Sequence, residues 1–344
     1  MIRPDHRGLV VFSVTLLGCL ALTGQTLLAQ DDYQARFREK QSQLRILGVG
    51  SCARCHRAQD GFFHRVDENP LNEFELWLGK GSDGVHAKTF QKTLGSDRSK
   101  TMAAILSKFD NLGTDPASRK DCLACHSLSY RADDKVPAEI RDAEHPEVDG
   151  VSCESCHGRA VEWEGQHRFV DWNPPWKPEW TDAQNKEARE KSKETWLAKG
   201  MYETRDVLRR AEKCAECHIG NSPGRQITHD MMGAGHPDLS FELASDSFNV
   251  PKHWRDKRSW LPGVDEGNWF YVRLWVVGQM ISMREAMKAL ADTKEATPDF
   301  AMLDCYSCHH EFLRTPSREA STKKVGRVGE PTWNEAPFIL ARHA

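Results

Sequence analysis

The sequence predicts a mainly α fold of short helices and long loops, packed around something other than its own side chains. Three observations carry that reading. Only 39% of the 344 residues are hydrophobic and the mean hydropathy is −0.63. That is polar for a chain long enough to form one large domain or two small ones. No stretch sustains the alternation of a half-buried strand. Ten of the eleven cysteines form five Cys-x-x-Cys pairs, and each pair is followed directly by histidine.

The five motifs are Cys52-Ala-Arg-Cys55-His56, Cys122-Leu-Ala-Cys125-His126, Cys153-Glu-Ser-Cys156-His157, Cys214-Ala-Glu-Cys217-His218 and Cys305-Tyr-Ser-Cys308-His309. Two thiols three positions apart add across the two vinyl groups of one haem. The next residue then lies beneath the ring, and its imidazole reaches the iron. Chance gives ~0.015 such motifs in a chain of this composition. Paired zinc sites need no histidine after every pair, and redox disulfides explain neither the number nor the histidine. The motifs therefore read as five covalent haems c, with His56, His126, His157, His218 and His309 as proximal iron ligands. Each porphyrin is a flat apolar body that replaces core side chains. The expected architecture is an irregular multihaem cytochrome fold, mainly α, packed around covalent haems.

Covalent haem c is attached outside the cytoplasmic membrane. The N-terminus agrees: Leu9 to Leu28 is apolar, Arg3 and Arg7 precede it, and Leu28-Ala29-Gln30-Asp31 offers a cleavage region. Residues 1–29 are expected to be a signal peptide and the location periplasmic. A retained anchor and a lipoprotein signal ending at Cys19 stay open beside that reading. The closest later approach to a membrane span, Trp269 to Met283, is broken by Arg273 and Gln279. Any membrane association of the mature chain would thus use something other than a spanning helix. A net charge of −3 is no footprint for nucleic acid, and the expected partners are redox proteins.

Beyond the motifs and His6, nine histidines remain as sixth ligands: His64, His86, His145, His167, His229, His236, His253, His310 and His343. Nine methionines offer an alternative that would raise the potential. The supply of histidine favours bis-histidine coordination and low potentials.

Several segments resemble the multihaem cytochrome c-554 family, whose type member accepts electrons from hydroxylamine oxidoreductase. They are the first motif with Arg57-Ala58-Gln59, Val85-His86-Ala87-Lys88, Lys120-Asp121-Cys122, Gly150-Val151-Ser152-Cys153-Glu154-Ser155-Cys156-His157-Gly158 with Glu164-Gly165-Gln166-His167-Arg168, and Lys213-Cys214. The resemblance runs over about residues 50 to 220. It implies that His86 ligates the iron held by His157 and His167 the iron held by His56. It further implies that the haem on His126 lacks a distal protein ligand, although His145 stands close enough in sequence to close that site. Beyond residue 220 the chain departs from that pattern, and the segment Thr228 to Pro237 offers two histidines: His229 and His236 are expected to serve the fourth and fifth haems, with His236 favoured for the fourth.

The chain is expected to divide into the leader 1–29, a c-554-like four-haem region 30–220 and a C-terminal helical region 221–344 with the fifth haem. Helices are predicted over Tyr33–Leu47, Leu71–Leu78, Lys100–Phe109, Asp182–Ala198, Glu203–Cys214 and Asn268–Ala291, with each motif at the end of a short helix. Val170 to Trp180, rich in Trp and Pro, reads as an extended linker, and Ser317 to Glu330 as loop. Trp269, Val272, Trp275, Val276, Met280 and Met283 recur at helical spacing and read as a packed face. Electron transfer is the expected function. An open iron at the His126 haem, acting on a small nitrogen oxide, is the alternative.

Overall fold

The structure, a computed structural model, describes residues 32–44, 46–57, 72–79, 84–127, 150–167, 179–220, 224–250, 269–292, 298–309 and 332–335. The leader, His64, His145, His253, His310, His343, nearly all of the linker from Val170 and the tail from Ser317 lie outside the described residues.

The described residues are mainly helical. Helix α1 covers 32–43. It is followed by α2 (Val49–His56), α3 (Glu73–Leu78), a π-helical turn (Thr89–Leu94), α4 (Asp97–Leu106), α5 (Lys120–His126) and α6 (Cys153–His157). Then come α7 (Asp182–Ala198), α8 (Val207–His218), α9 (His229–Gly233), α10 (Leu243–Asn249) and α11 (Trp269–Ala291). Among the described residues the only β pairing is a single bridge between Leu303 and Trp333.

Four of the five motifs end a helix at their histidine: α2, α5, α6 and α8. The reason is geometric. One helical turn sets residues i and i+3 on one face, so both thiols point the same way. The chain then breaks away, at Gly158 with φ 83° after α6 and at extended Ser127 after α5. The fifth motif departs from this pattern, forming a 3₁₀ turn at Cys305–Ser307 capped by Asp304. The longer helices start on local signals. Thr181 and Gln184 form a reciprocal capping box on α7, Ser96 caps α4 and Asp206 caps α8.

The side-chain core is divided into small clusters. The largest joins α8 (Val207, Ala211, Ala215) to Leu243 of α10 and to Leu274 and Ile281 of α11. The other four clusters hold three buried residues each. The largest cluster crosses residue 220, the position at which the sequence suggested a boundary.

The C-terminal helix turns a different face inward than expected. Leu274, Gly278, Ile281 and Glu285 are buried, while Trp269, Val272, Val276 and Met280 are exposed. Gly278 decides this. A Cβ there would lie 2.7 Å from the Cβ of Leu243, so the glycine face is the one that admits α10.

Candidate haem centres

Each motif is anchored by the residues inside and around it. Glu154, between the cysteines of the third motif, is buried. Its carboxylate accepts from Gly48 N–H at 2.9 Å, Leu47 N–H at 3.2 Å and Ala160 N–H at 2.8 Å. Gly48 is the N-cap of α2, so this side chain locks the first motif's helix to the third motif. Arg119 caps α5 and is fully buried, paired with Asp110 at 2.7 Å and Asp121 at 2.6 Å. Arg225 donates to the Ala124 carbonyl at 2.8 Å and pairs with Glu216 at 2.7 Å. It thereby joins the interiors of motifs two and four. Sequence spacing carries no sign of any of these contacts.

The thiols report which motifs adjoin. Cys52 lies beside Cys153, Cys125 beside Cys217, and Cys156 in the electrostatic surroundings of Cys214. Motif one thus meets three, three meets four, and four meets two. Burial pushes the Cys122 and Cys214 thiols up to about 12 and Cys156 to about 11.

The histidines form facing pairs. His56 and His167 have ring centres 6.0 Å apart and nearly parallel planes, at 16°. His86 and His218 are 6.1 Å apart at 86°, His126 and His236 are 6.5 Å apart, and His229 and His309 are 6.1 Å apart. In every pair one member follows a Cys-x-x-Cys and the other does not. Two metal–nitrogen bonds of about 2.0 Å and the two half-rings between them put the centres of a trans bis-histidine pair roughly 6.3 Å apart. The observed spacing fits a metal between each pair.

The protonation chemistry fits as well. A ligating imidazole donates its other N–H to an oxygen, which fixes the tautomer and the ring. The His56 Nδ1 is 2.8 Å from a Glu73 carboxylate oxygen. The Nδ1 of His236 is 2.7 Å from the Pro237 carbonyl, and that of His167 contacts the Glu164 carbonyl. A carbonyl only accepts, so Nδ1 of His236 and His167 carries the proton and Nε2 keeps its lone pair. Burial, with His236 adding to it, pushes His126 down to about 4. Burial also lowers His167. Both are neutral, the form that binds metal. The buried Nδ1 of His126 makes no hydrogen bond.

Two placements differ from the sequence expectations, one implied by the resemblance and one read from the residues beyond it. His86 stands across from His218, not His157. Its turn is pinned by Val151 N–H donating to the His86 carbonyl at 2.9 Å and by Thr89, whose hydroxyl also lies 3.0 Å from the His126 carbonyl. That draws His86 toward motifs two and four. A Cβ on Gly150 would sit 2.4 Å from the His86 carbonyl oxygen, so only glycine admits this approach. Likewise His236 stands across from His126, not His218. The reason is α9, whose Met231 packs with Ala234 and Leu106 of α4, while Arg98 bonds the Gly235 carbonyl. His157 is held through Tyr202 N–H to its carbonyl at 2.8 Å, with the Thr204 hydroxyl 3.4 Å from its Nδ1.

Residues 51–158 match the family Cytochrome c554 and c-prime. That segment is similar to a family of c-type cytochromes. It runs from the first motif through the third, and motifs four and five lie beyond it. Covalent haem c and electron transfer are the chemistry of that family. The c554-type segment contains both differing partners, His86 and His126, while the rings that face them, His218 and His236, come from outside it. No curated protein and no solved structure gives a match. Among the described residues no helix is long and apolar enough to cross a membrane.

Proposed function

We propose that the chain is a pentahaem c-type cytochrome that relays single electrons between redox proteins outside the cytoplasm. The observation that carries this reading is the set of four facing imidazole pairs, each joining a motif histidine to a distant one at the span of a bis-histidine site. When bound, haem c supplies a one-electron carrier whose potential the protein tunes. Cys52/Cys55, Cys122/Cys125, Cys153/Cys156, Cys214/Cys217 and Cys305/Cys308 would attach the five groups. His56, His126, His157, His218 and His309 would hold them from one side, with His167 opposite His56 and His86 opposite His218. The thiol contacts support a row in the order one, three, four, two. An electron enters from a one-electron donor at one end and leaves to a one-electron acceptor at the other.

The periplasmic location rests on the leader expected over 1–29 and on the compartment in which haem c is attached. Two measurements test the proposal. The intact mass of the purified protein is expected to exceed that of the chain from its observed N-terminus by five haems, and the colour should survive denaturing electrophoresis. A mass showing fewer haems would overturn the count, and loss of colour would overturn covalent attachment.

A further inference from the structure

The second reading of the sequence placed an open iron at the His126 haem, and the structure bears directly on that site. A short arm, Thr228 to Pro237, carries two histidines seven positions apart. Each end is fixed to a different part of the molecule. At the start, Thr228 caps α9 by accepting from Met231 N–H. The backbone N–H of His229 donates to Asp299 Oδ1 at 2.9 Å, and its ring stands edge-on to Phe300 at 5.8 Å. Both partners belong to the segment that leads into the fifth motif. At the far end the His236 backbone N–H closes back on the Met231 carbonyl at 2.9 Å. Met231 is buried against α4, and Gly235, at φ 116°, takes the turn that aims His236 away from His229.

The two rings therefore face different motifs, His309 from His229 and His126 from His236. The His236 tautomer fixed by the Pro237 carbonyl leaves Nε2 as a lone pair on a ring facing His126. No direct hydrogen bond joins the two imidazoles, and the buried His126 nitrogen has none at all. A pair spaced by roughly two metal–nitrogen bonds plus two half-rings is built for a metal between them.

We infer that the 228–237 arm is a two-headed ligand. His236 closes the iron position opposite His126, and His229 closes the one opposite His309. The inference rests on the five-haem reading above and deepens it in two ways. The second haem is six-coordinate, with no vacant position for a small nitrogen oxide. The fifth haem is tied beside the second, so the row continues as one, three, four, two, five, with its ends at motifs one and five.

The test uses the whole holoprotein and reads spin state and haem content. In the oxidised wild type, the second haem should be low-spin by electron paramagnetic resonance, and nitrite should not convert it. His236→Gly should retain all its haems by mass and convert one of them to high spin, and added imidazole should restore it. His229→Gly should do the same to a different haem. Combining His126→Gly with His236→Gly should leave a single perturbed haem, because both changes fall on one iron. Combining His229→Gly with His236→Gly should leave two.

A His236→Gly variant in which no haem converts to high spin would overturn the inference. So would two perturbed haems in the His126/His236 double variant. If the glycine variant does not accumulate, His236→Met replaces it. A methionine–iron charge-transfer band or one new high-spin haem supports the assignment, and a spectrum identical to wild type refutes it. A failure of the five-haem reading appears separately, as a wild-type mass with fewer haems.

Discussion

The Glu154 carboxylate sits 2.9 Å from the backbone N–H of Gly48, a residue 106 positions earlier in the chain. A carboxylate inside the third Cys-x-x-Cys thus serves as the external cap of the helix that carries the first. Two motifs that adjoin through Cys52 and Cys153 are held in register by one buried side chain. Glu154→Ala would leave three backbone donors without an acceptor. Each charge-assisted bond of this kind is worth about 1.5–3 kcal/mol, and shared access of water to the opened site reduces the sum. A loss of about 3 kcal/mol is expected, measured by denaturant unfolding followed through the Soret circular dichroism. An unchanged midpoint would show that the clamp contributes nothing.

Glu73 bears on the electronics of the first centre. Its oxygen lies 2.8 Å from His56 Nδ1. A carboxylate there makes the imidazole a stronger donor and stabilises the oxidised iron. Glu73→Gln keeps the shape and removes the charge, so one midpoint potential should rise. If about 1.4 kcal/mol is lost, the rise is on the order of 60 mV for one electron. A spectroelectrochemical titration that leaves all potentials in place would refute this role.

Ring orientation should be visible in the spectrum of the oxidised protein. Parallel axial imidazoles split the iron d orbitals and give a rhombic low-spin signal, whereas crossed planes leave them nearly degenerate and give a strongly anisotropic one. The His56/His167 planes differ by 16° and the His86/His218 planes by 86°. Gly150→Ala, which pushes a methyl group against the His86 carbonyl, should weaken the anisotropic signal and spare the rhombic one. Loss of the rhombic signal instead would mean that Gly150 supports the other pair.

Asp110 offers a pH dependence of known sign. The hydrogen bonds from Arg119 hold its carboxyl below the ordinary value of 3.8. A carboxylate with a depressed folded value binds its proton more weakly in the native state than when unfolded. Its stabilisation is therefore complete above about pH 3.8 and disappears as the pH falls through the lower, native value. Asp110→Asn should be less stable than wild type at neutral pH, and the gap should close in strong acid. A gap that stays constant with pH would assign the effect to packing alone.

The parts that were legible in the sequence are the local ones. Helix α7 was read over Asp182–Ala198, because Thr181 and Gln184 announce its start within four residues. The four motif helices end at their histidines because Cys-x-x-Cys-His is itself one helical turn. Helices α9 and α10 were missed, since five and seven residues are too few for periodicity to register. His86, His167, His229 and His236 are all legible as candidate ligands, but the partners of His86 and His236 are not. Which ring meets which depends on Thr89, Gly150 and Arg98, residues whose roles exist only after distant segments meet. Glu73 gave no signal, because an acidic residue at the start of a helix usually serves that helix alone.

The facing pairs also set the order in which the molecule can be made. The spans 56–167, 86–218 and 126–236 overlap, so each opens before the one preceding it has closed. A ribosome must deliver residue 236 before the second centre acquires its far side, and residue 309 before the last one does. Such long, interleaved closures are slow to form. Burial raises the Cys122, Cys156 and Cys214 thiols, which disfavours the reactive thiolate at those positions in the closed fold. Attachment at those positions is therefore favoured while the chain is still open, which ties maturation to folding there.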